Sequence, residues 1–472
     1  MPDRLQIRGN GVNYHDRSYY SDRTSMKITA KITKTISEWI SNKTVQQYSF
    51  NTIWMMVARF AWIITAFTVG IFVTRKLGPE RFGELNYAIA WLGMFSIILD
   101  LGVGGIIQRD LVQHPEKKDR LLGNLIVFKA IQTVFMLLIA GVCLIVSKQP
   151  PQIIKLILIL MCGYLTISAT ALSTYFAAVV KNQFEAFAQI FSCTIYNGIR
   201  LCAVIFNWDL IVYAIAESAM MILYHLPLLY YYKRLGNKFR TLNFRFKEVF
   251  ALVLPAIPLS LAGIFSTIYS KTDILMLKYF EGFDSVAFYS LASRFTLNIV
   301  LFYTLLSNVF STAVSSSKKI SDQEYKKQLH RFYFMLFWIG VPFLPILIWM
   351  SPYVFQFLYG KEFLIAANVF AVCVCSLPCT GLLNAYFWHC TFENKLILLA
   401  LSNGTGAVIN VFGNWYLIPR FGVIGAAWSS VFSMILGLIL ALLCQKSGRQ
   451  ILLFILKSLL TLPSFKLNHS GT

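Results

Sequence analysis

The stretch NLIVFKAIQTVFMLLIAGVCLIV, Asn124 to Val146, carries a single charged side chain, Lys129. At about 1.5 Å of rise per residue, a helix of this length matches the roughly 30 Å hydrocarbon core of a bilayer. A membrane strand would cross in roughly ten residues with alternating polarity, and no alternation is present here. Outward from this segment the pattern recurs. Spans are expected at Ser49 to Phe72, Leu85 to Ile107, Ile153 to Val180, Phe187 to Phe206 and Leu210 to Tyr232. Beyond a basic break they are expected at Phe250 to Leu277, Ser285 to Val314, Phe332 to Met350, Leu364 to Phe387, Leu396 to Ile418 and Val423 to Cys444. The 472 residues are 57% hydrophobic and 13% charged, with mean hydropathy +0.62, where soluble proteins carry roughly 25% charged residues. Too little polar surface remains for a soluble domain, and the number of runs excludes a single-span receptor. The expected fold class is an all-α integral membrane protein of about 12 transmembrane helices.

The net charge of +21 raises nucleic acid as a partner, but the distribution of the charge argues against it. Basic residues gather in alternate connections: Arg109, Lys117, Lys118 and Arg120; then Lys233, Arg234, Lys238, Arg240, Arg245 and Lys247; then Lys318, Lys319, Lys326, Lys327 and Arg331. That alternation is the orientation signal of a polytopic membrane protein. It assigns these loops, the basic leader and the tail with Lys446 and Arg449 to the cytoplasm, so that both termini of a multi-pass protein of the cytoplasmic membrane are expected on the cytoplasmic side. Arg75, Lys76 and Arg81 are a mild exception, partly balanced by Glu80 and Glu84. The polar leader ahead of a first run of full spanning length does not read as a cleavable signal. Most cysteines lie within apolar runs, and Cys373, Cys375 and Cys379 lack zinc-type partners, so they are expected to pack.

Residues Met1 to Ser25 have no periodicity. From Met26 to Gln47, Ile28, Ile32, Ile36, Trp39 and Ile40 recur at helical spacing beside Lys27, Lys31 and Lys34, as in an interfacial helix on membrane lipids or a solvated leader helix. The stretch Gln450 to Leu462, apolar but short, is also expected at the interface. The basic connection divides the chain into a leader (1–48), an N-lobe (49–232), a linker (233–249), a C-lobe (250–444) and a tail (445–472). The first connection of each half, Gly78-Pro-Glu-Arg-Phe-Gly83-Glu-Leu85-Asn-Tyr-Ala88 and Gly282-Phe-Asp-Ser-Val-Ala287-Phe-Tyr289-Ser-Leu-Ala292, shares one pattern of small, large and small positions. An even number of spans per half makes the repeat parallel, with its axis along the membrane normal.

Ionisable residues within spans cost about 2.5 to 3.5 kcal/mol each on insertion scales and are functional candidates by default. Arg59, Arg200, Lys271 and Arg294 are the candidates for a cationic substrate-binding cavity, with Arg59 the strongest because no carboxylate of similar depth is evident. Asp273, Glu217 and Asp100 are coupling or salt-bridge candidates. Asp273 with Arg294, and Glu217 with Arg200, are equally readable as structural pairs, while Asp100 and Lys129 lie near enough to span ends to cap or snorkel. Several cations in a central cavity suit an anionic cargo such as a phosphate or pyrophosphate head group, which Arg holds bidentately. Pro255 and Pro258, followed by Gly263, mark a hinge in the seventh span; Pro342 with Pro345 and Pro378 with Gly381 are others. His225 and His389 are isolated and read as structural. With no nucleophile–base set, phosphate loop or paired acid spacing, neither an enzyme nor a cofactor is expected.

Five segments in order resemble the polysaccharide flippases of Wzx type, within the multidrug/oligosaccharidyl-lipid/polysaccharide exporter superfamily. They are Arg75-Lys-Leu-Gly-Pro-Glu-Arg-Phe-Gly83; Asp100-Leu-Gly102 followed by Arg109-Asp110; Thr272-Asp-Ile-Leu-Met-Leu277; Tyr359-Gly-Lys-Glu-Phe363; and Leu417-Ile-Pro-Arg-Phe-Gly-Val-Ile-Gly-Ala-Ala427. Ala287 departs from the usual glycine, and Lys278-Tyr-Phe-Glu-Gly282 is a looser turn. The resemblance implies two six-helix lobes around a central cavity and alternating access that carries an undecaprenyl-pyrophosphate-linked oligosaccharide across the membrane. It leaves open H+ or Na+ coupling and association with a polysaccharide polymerase complex. An ion-coupled multidrug or metabolite exporter of the same fold is the alternative, and a membrane-embedded polymerase or ligase is more distant because a long loop with catalytic His or Arg is absent.

Overall fold

A computed structural model describes residues 43–99 and 102–462. The leader up to residue 42, Asp100, Leu101 and the last ten residues lie outside it, so the interfacial reading of Met26 to Gln47 falls almost wholly outside the described residues. Among the described residues every regular element is helical.

The first helix, α1 (Lys43–Phe95), holds two spans rather than one. From Phe50 it continues through a short 3-10 turn to Leu99, and about 75 Å of helix is more than twice a hydrocarbon core. Gly78 breaks it with φ 68° and ψ 178°, a region essentially reserved for glycine. After Gly102 (φ 65°) comes the short α2 (Val103–Gln113), so the expected second span ends at the Gly102 break. The next elements are α3 (Lys118–Val146), α4 (Pro151–Tyr164), α5 (Ala171–Ala178), α6 (Asn182–Ile205) and α7 (Leu210–Arg234). The stretches Pro151–Tyr164 and Ile167–Ala178 form one span bent by 42°.

Beyond the linker, α8 (Phe246–Phe280) and α9 (Phe283–Ser317) are single long helices; α8 runs unbroken through positions 255 and 258. The ninth span is shared by α10 (Asp322–Trp338) and α11 (Phe343–Tyr359), interrupted near Gly340 and Pro342. The tenth, α12 (Leu364–Val374) with α13 (Leu377–Phe392), bends by 45°. Helix α14 (Leu396–Leu443) repeats the device of α1, folding back at Gly422 (φ 58°, ψ −140°). The amphipathic α15 (Lys446–Leu460) buries Ile451 and Ile455 against α10 and α14 and exposes Leu453 and Leu460.

Among the described residues seven stretches are long and apolar enough to span, nine if each bent pair is one span. Division of two of them at Gly78 and Gly422, with α8 added, matches the expected twelve. Helices α1, α4, α6 and α7 pack together, as do α8, α9 and α12 to α14; the two groups meet where α1 runs along α8 and α9. The periphery is apolar and exposed, as at Ile145, Leu138 and Phe357, the surface expected to face lipid chains. The close crossings are built from small residues, as membrane helix packing requires. In α14, Ser402, Gly406, Asn410 and Asn414 form one buried ladder, Ser429, Ser433 and Gly437 face it, and a methyl group at Gly437 would collide with the backbone of Gly406.

Candidate functional site: a cationic cavity beside a caged carboxylate

The turns at Gly78, Gly282, Gly360 and Gly422 fall at one end of the helices, and the basic loops, with the turn at Gly236, at the other. At the turn end the two halves close on each other. Gly83 packs against the backbone of Phe283 with no room for a methyl group. The rings of Tyr87 and Phe283 meet at 5.7 Å, those of Phe67 and Phe295 at 5.4 Å, and Phe363 receives both Phe82 and Phe288. Arg75 donates to the carbonyl of Phe357. Gly78 and Gly282, which open the two repeated segments, share positive φ and extended ψ, so the repeat read in the sequence has a backbone counterpart.

Beneath this seal lies a cavity of about 240 Å³, lined by Trp62, Tyr196, Arg200, Glu217, Arg294 and Tyr359 among others. It brings Arg200, from the first half, together with Arg294, from the second. Arg200 is 4% exposed, and its guanidinium rests 4.7 Å from the centre of the Tyr196 ring, a cation–π contact worth about 2 kcal/mol where water is excluded. The Tyr196 hydroxyl donates to Glu217, so the tyrosine stands between the two charges. The expected direct pair of Arg200 with Glu217 does not form; no ion pair among the described residues includes either residue. Arg294 donates to Asn86 Oδ1 at 3.0 Å and lies over the Phe82 ring.

Arg294 also lines a larger cavity, of about 580 Å³, together with Lys271 and Asp273. Lys271 reaches across to α1, where Gly93 makes space for it: a methyl group there would lie 3.3 Å from Lys271 Cε. The pairing of Asp273 with Arg294 is corrected by the structure. Asp273 is 2% exposed and its carboxylate accepts four neutral donors: the Asn414 amide at 2.7 Å, the Asn410 amide at 2.9 Å, the Ser430 hydroxyl at 2.5 Å and the hydroxyl of Tyr289. Four charge-assisted hydrogen bonds replace the water a buried carboxylate loses, and a cation is not needed. Sequence reasoning missed Asn410, Asn414, Ser430 and Tyr289. Two asparagines one helical turn apart inside an apolar run were the available signal.

Arg59 occupies a third cavity, of about 380 Å³, between α1, α6 and α7. Among the described residues it has no ion-pair or hydrogen-bond partner. Thr65 faces Asn197 at 3.4 Å, which sets Arg59 and Arg200 roughly 13 Å apart along the helix axes. Arg59 is therefore in line with the Arg200–Arg294 cavity and nearer the basic end. Asp100 lies outside the described residues, as do the side chains of Pro255 and Pro258.

At the basic end the linker is clamped to the first half. Arg120 of α3 donates to Glu248 at 2.6 Å, Asn124 donates to the same carboxylate at 3.3 Å, and the Arg245 amide donates to Asn124 Oδ1 at 2.8 Å. Gly123 lets this segment approach, since a methyl group there would meet the backbone of Asn243.

This architecture, with paired helical groups, a sealed end and charged cavities between, defines a polytopic transporter fold. A family model described as "Polysaccharide biosynthesis protein" matches residues 50–313, more than half of the chain, and the protein belongs to that family. It is 21% identical over 406 residues, 83% of this chain and 96% of the other, to a putative O-antigen transporter of Shigella flexneri. Among solved structures it is similar to the lipid II flippase MurJ in an inward closed conformation (TM-score 0.67, 17% identity, 86% and 91% of the two chains covered). It is also similar to an inward-facing multidrug resistance MATE family transporter of the MOP superfamily (TM-score 0.65, 15% identity, 84% and 96% covered). These likenesses extend over both halves and establish the exporter fold expected from the five segments.

Proposed function

We propose that the protein is an alternating-access flippase that moves a lipid-pyrophosphate-linked oligosaccharide across the cytoplasmic membrane for surface polysaccharide synthesis. One observation carries this reading: two guanidinium groups, one from each half, line a single cavity, and among the described residues neither forms an ion pair, Glu217 of the same cavity being held by Tyr196 instead. A buried cation is retained against its desolvation cost when an anion visits it, and two forked guanidiniums match the non-bridging oxygens of a pyrophosphate. The names of the O-antigen transporter and the lipid II flippase support the same class of cargo. In this reading the basic end faces the cytoplasm, with both termini there. The lobes 49–232 and 250–444 rock about the linker 233–249, α8 yields near Pro255 and Pro258, and the lipid chain stays in the bilayer. A polysaccharide polymerase is the partner that would receive the glycan.

Asp273 is the coupling candidate. Its donors are all N–H or O–H groups that favour the charged carboxylate, so a proton on it requires the Ser430 or Tyr289 hydroxyl to turn and accept, and Na+ requires Asn410 and Asn414 to turn their oxygens inward. Because Asp273 has no cationic partner, an ion-coupled multidrug or metabolite exporter is the second reading. The two separate in cells lacking the chromosomal gene. Restoration of surface polysaccharide by the wild type, and a roughly tenfold or greater loss in an Arg200→Ala/Arg294→Ala variant at equal protein level, supports the flippase. Unchanged polysaccharide with altered resistance to cationic compounds supports the exporter.

A further inference from the structure

Trp62 is shared by two cavities of different chemistry. It lines the cavity that holds Arg200 and Arg294, and it also lines the cavity of Arg59. Met220 is common to both as well, so the two spaces adjoin at the Trp62–Met220 level. Trp62 is half-buried; among the described residues no other ring packs on it and its indole N–H has no acceptor. One broad aromatic face is thus left at the junction.

The groups beyond this junction differ from those at the arginine end. Glu185 accepts from Tyr224 at 3.0 Å through one oxygen only. Gln189, on the same face one turn further along α6, has no side-chain hydrogen bond among the described residues. His225 is 3% exposed; its Nδ1 meets Thr166 at 3.0 Å, while its Nε2 is buried with no partner. Arg59 adds a free fork of donors. A carboxylate oxygen, an amide, an imidazole nitrogen and a guanidinium present mixed donors and acceptors, a set suited to a ligand bearing many hydroxyl groups. A lone anion would use the cation only, and an apolar drug would leave the other groups unsatisfied. The electron-rich face of an indole complements the C–H face of a sugar ring.

We infer that Trp62 is the platform for a sugar ring of the cargo, with Arg59, Glu185, Gln189 and His225 as its hydroxyl-binding subsite, while Arg200 and Arg294 hold the pyrophosphate next to it. This rests on the flippase reading and adds to it a division of the cargo along α1: phosphate from Trp62 toward the turn end, sugar from Trp62 toward the basic end. The cavity of about 380 Å³ lies within the size range of pockets that enclose small ligands.

The test compares ligands that differ only in the sugar. Affinities of the purified full-length protein are measured for undecaprenyl pyrophosphate, for undecaprenyl-pyrophosphate-linked N-acetylglucosamine and for the galactose-linked equivalent. The wild type is expected to favour at least one sugar-bearing lipid over the bare one by about tenfold. That ratio should collapse toward one in Trp62→Ala, fall in Gln189→Ala and return in Trp62→Phe. Arg200→Ala should weaken all three lipids while keeping the ratio. A wild-type ratio of one for both sugars, or a ratio untouched by Trp62→Ala, overturns the sugar platform and leaves the flippase reading standing. No binding of any lipid by the wild type, or binding unaffected by Arg200→Ala, defeats the flippase reading itself.

Discussion

Before the linker, Arg200 lies on the face of Tyr196 and meets no carboxylate; after it, Asp273 receives four hydrogen bonds and meets no cation. Both are buried charges, but they are stabilised differently. Among the described residues nothing accepts from the guanidinium, a state suited to a visiting anion. The carboxylate borders the cavity of about 580 Å³, but its oxygens are taken up by four donors, a state suited to fixing helices α8, α9 and α14 together and to accepting nothing larger than a small ion. Charge alone, read along a sequence, does not separate these roles; the number and kind of neighbouring hydrogen-bonding groups does.

The contrast can be broken first at the cage. Asp273→Ala removes the acceptor shared by two amides and two hydroxyls, which keep only longer contacts to one another, and is expected to cost about 3 kcal/mol or more, read as a fall in melting temperature of several degrees in detergent. Asp273→Asn keeps the shape and should cost less while removing the charge. An unchanged melting temperature for Asp273→Ala would show that the cage contributes no stability. A second break is at the seal. A methyl group at Gly83 would strike the Phe283 backbone, so Gly83→Ala should lower cross-linking between cysteines placed at positions 75 and 357, in a background free of native cysteines, by severalfold; undiminished cross-linking would place the closing contact elsewhere.

Smaller effects sharpen the comparison. Disruption of the Arg120–Glu248 contact by Glu248→Ala should weaken the hold of the linker by about 1 kcal/mol, a roughly fivefold shift toward the basic-end-open state in a spin-label distance distribution. The exchange Arg120→Glu with Glu248→Arg should restore most of it, and a lack of restoration would mean the pair is incidental. Arg59→Ala is expected to reduce surface-polysaccharide export about threefold at unchanged protein level, less than loss of either cavity arginine, because Arg59 lies roughly 13 Å from Arg200 along the helix axes and outside their cavity. Normal export would remove Arg59 from the transport path.

Much of the fold was legible because apolar runs of spanning length leave one solution, and glycines at the turns announce where long helices fold back. The interruptions near Pro342 and Pro378 fall at prolines that mark hinges in the sequence, whereas the breaks at Gly102 and near residue 165 were less legible, since a bent span keeps the same apolar composition as a straight one. Of the site, Arg200 and Arg294 were found as cations that ought to avoid oil, but their neighbours were not. The Tyr196 ring that separates Arg200 from Glu217 is indistinguishable in sequence from any other buried aromatic residue. The Asp273 cage depends on the turn at Gly422, which brings Ser430 against Asn410 and Asn414 from the other limb of α14. That juxtaposition is tertiary, and pairing by sign and depth led to Arg294 instead.

The arginine pair is tested most directly by equilibrium binding of undecaprenyl pyrophosphate to the purified protein in detergent or nanodiscs. Loss of two charge-assisted contacts in Arg200→Ala/Arg294→Ala should weaken binding by about a hundredfold or more, with each single variant intermediate and the wild-type affinity falling as salt rises. Equal affinity of the double variant and the wild type would contradict the account.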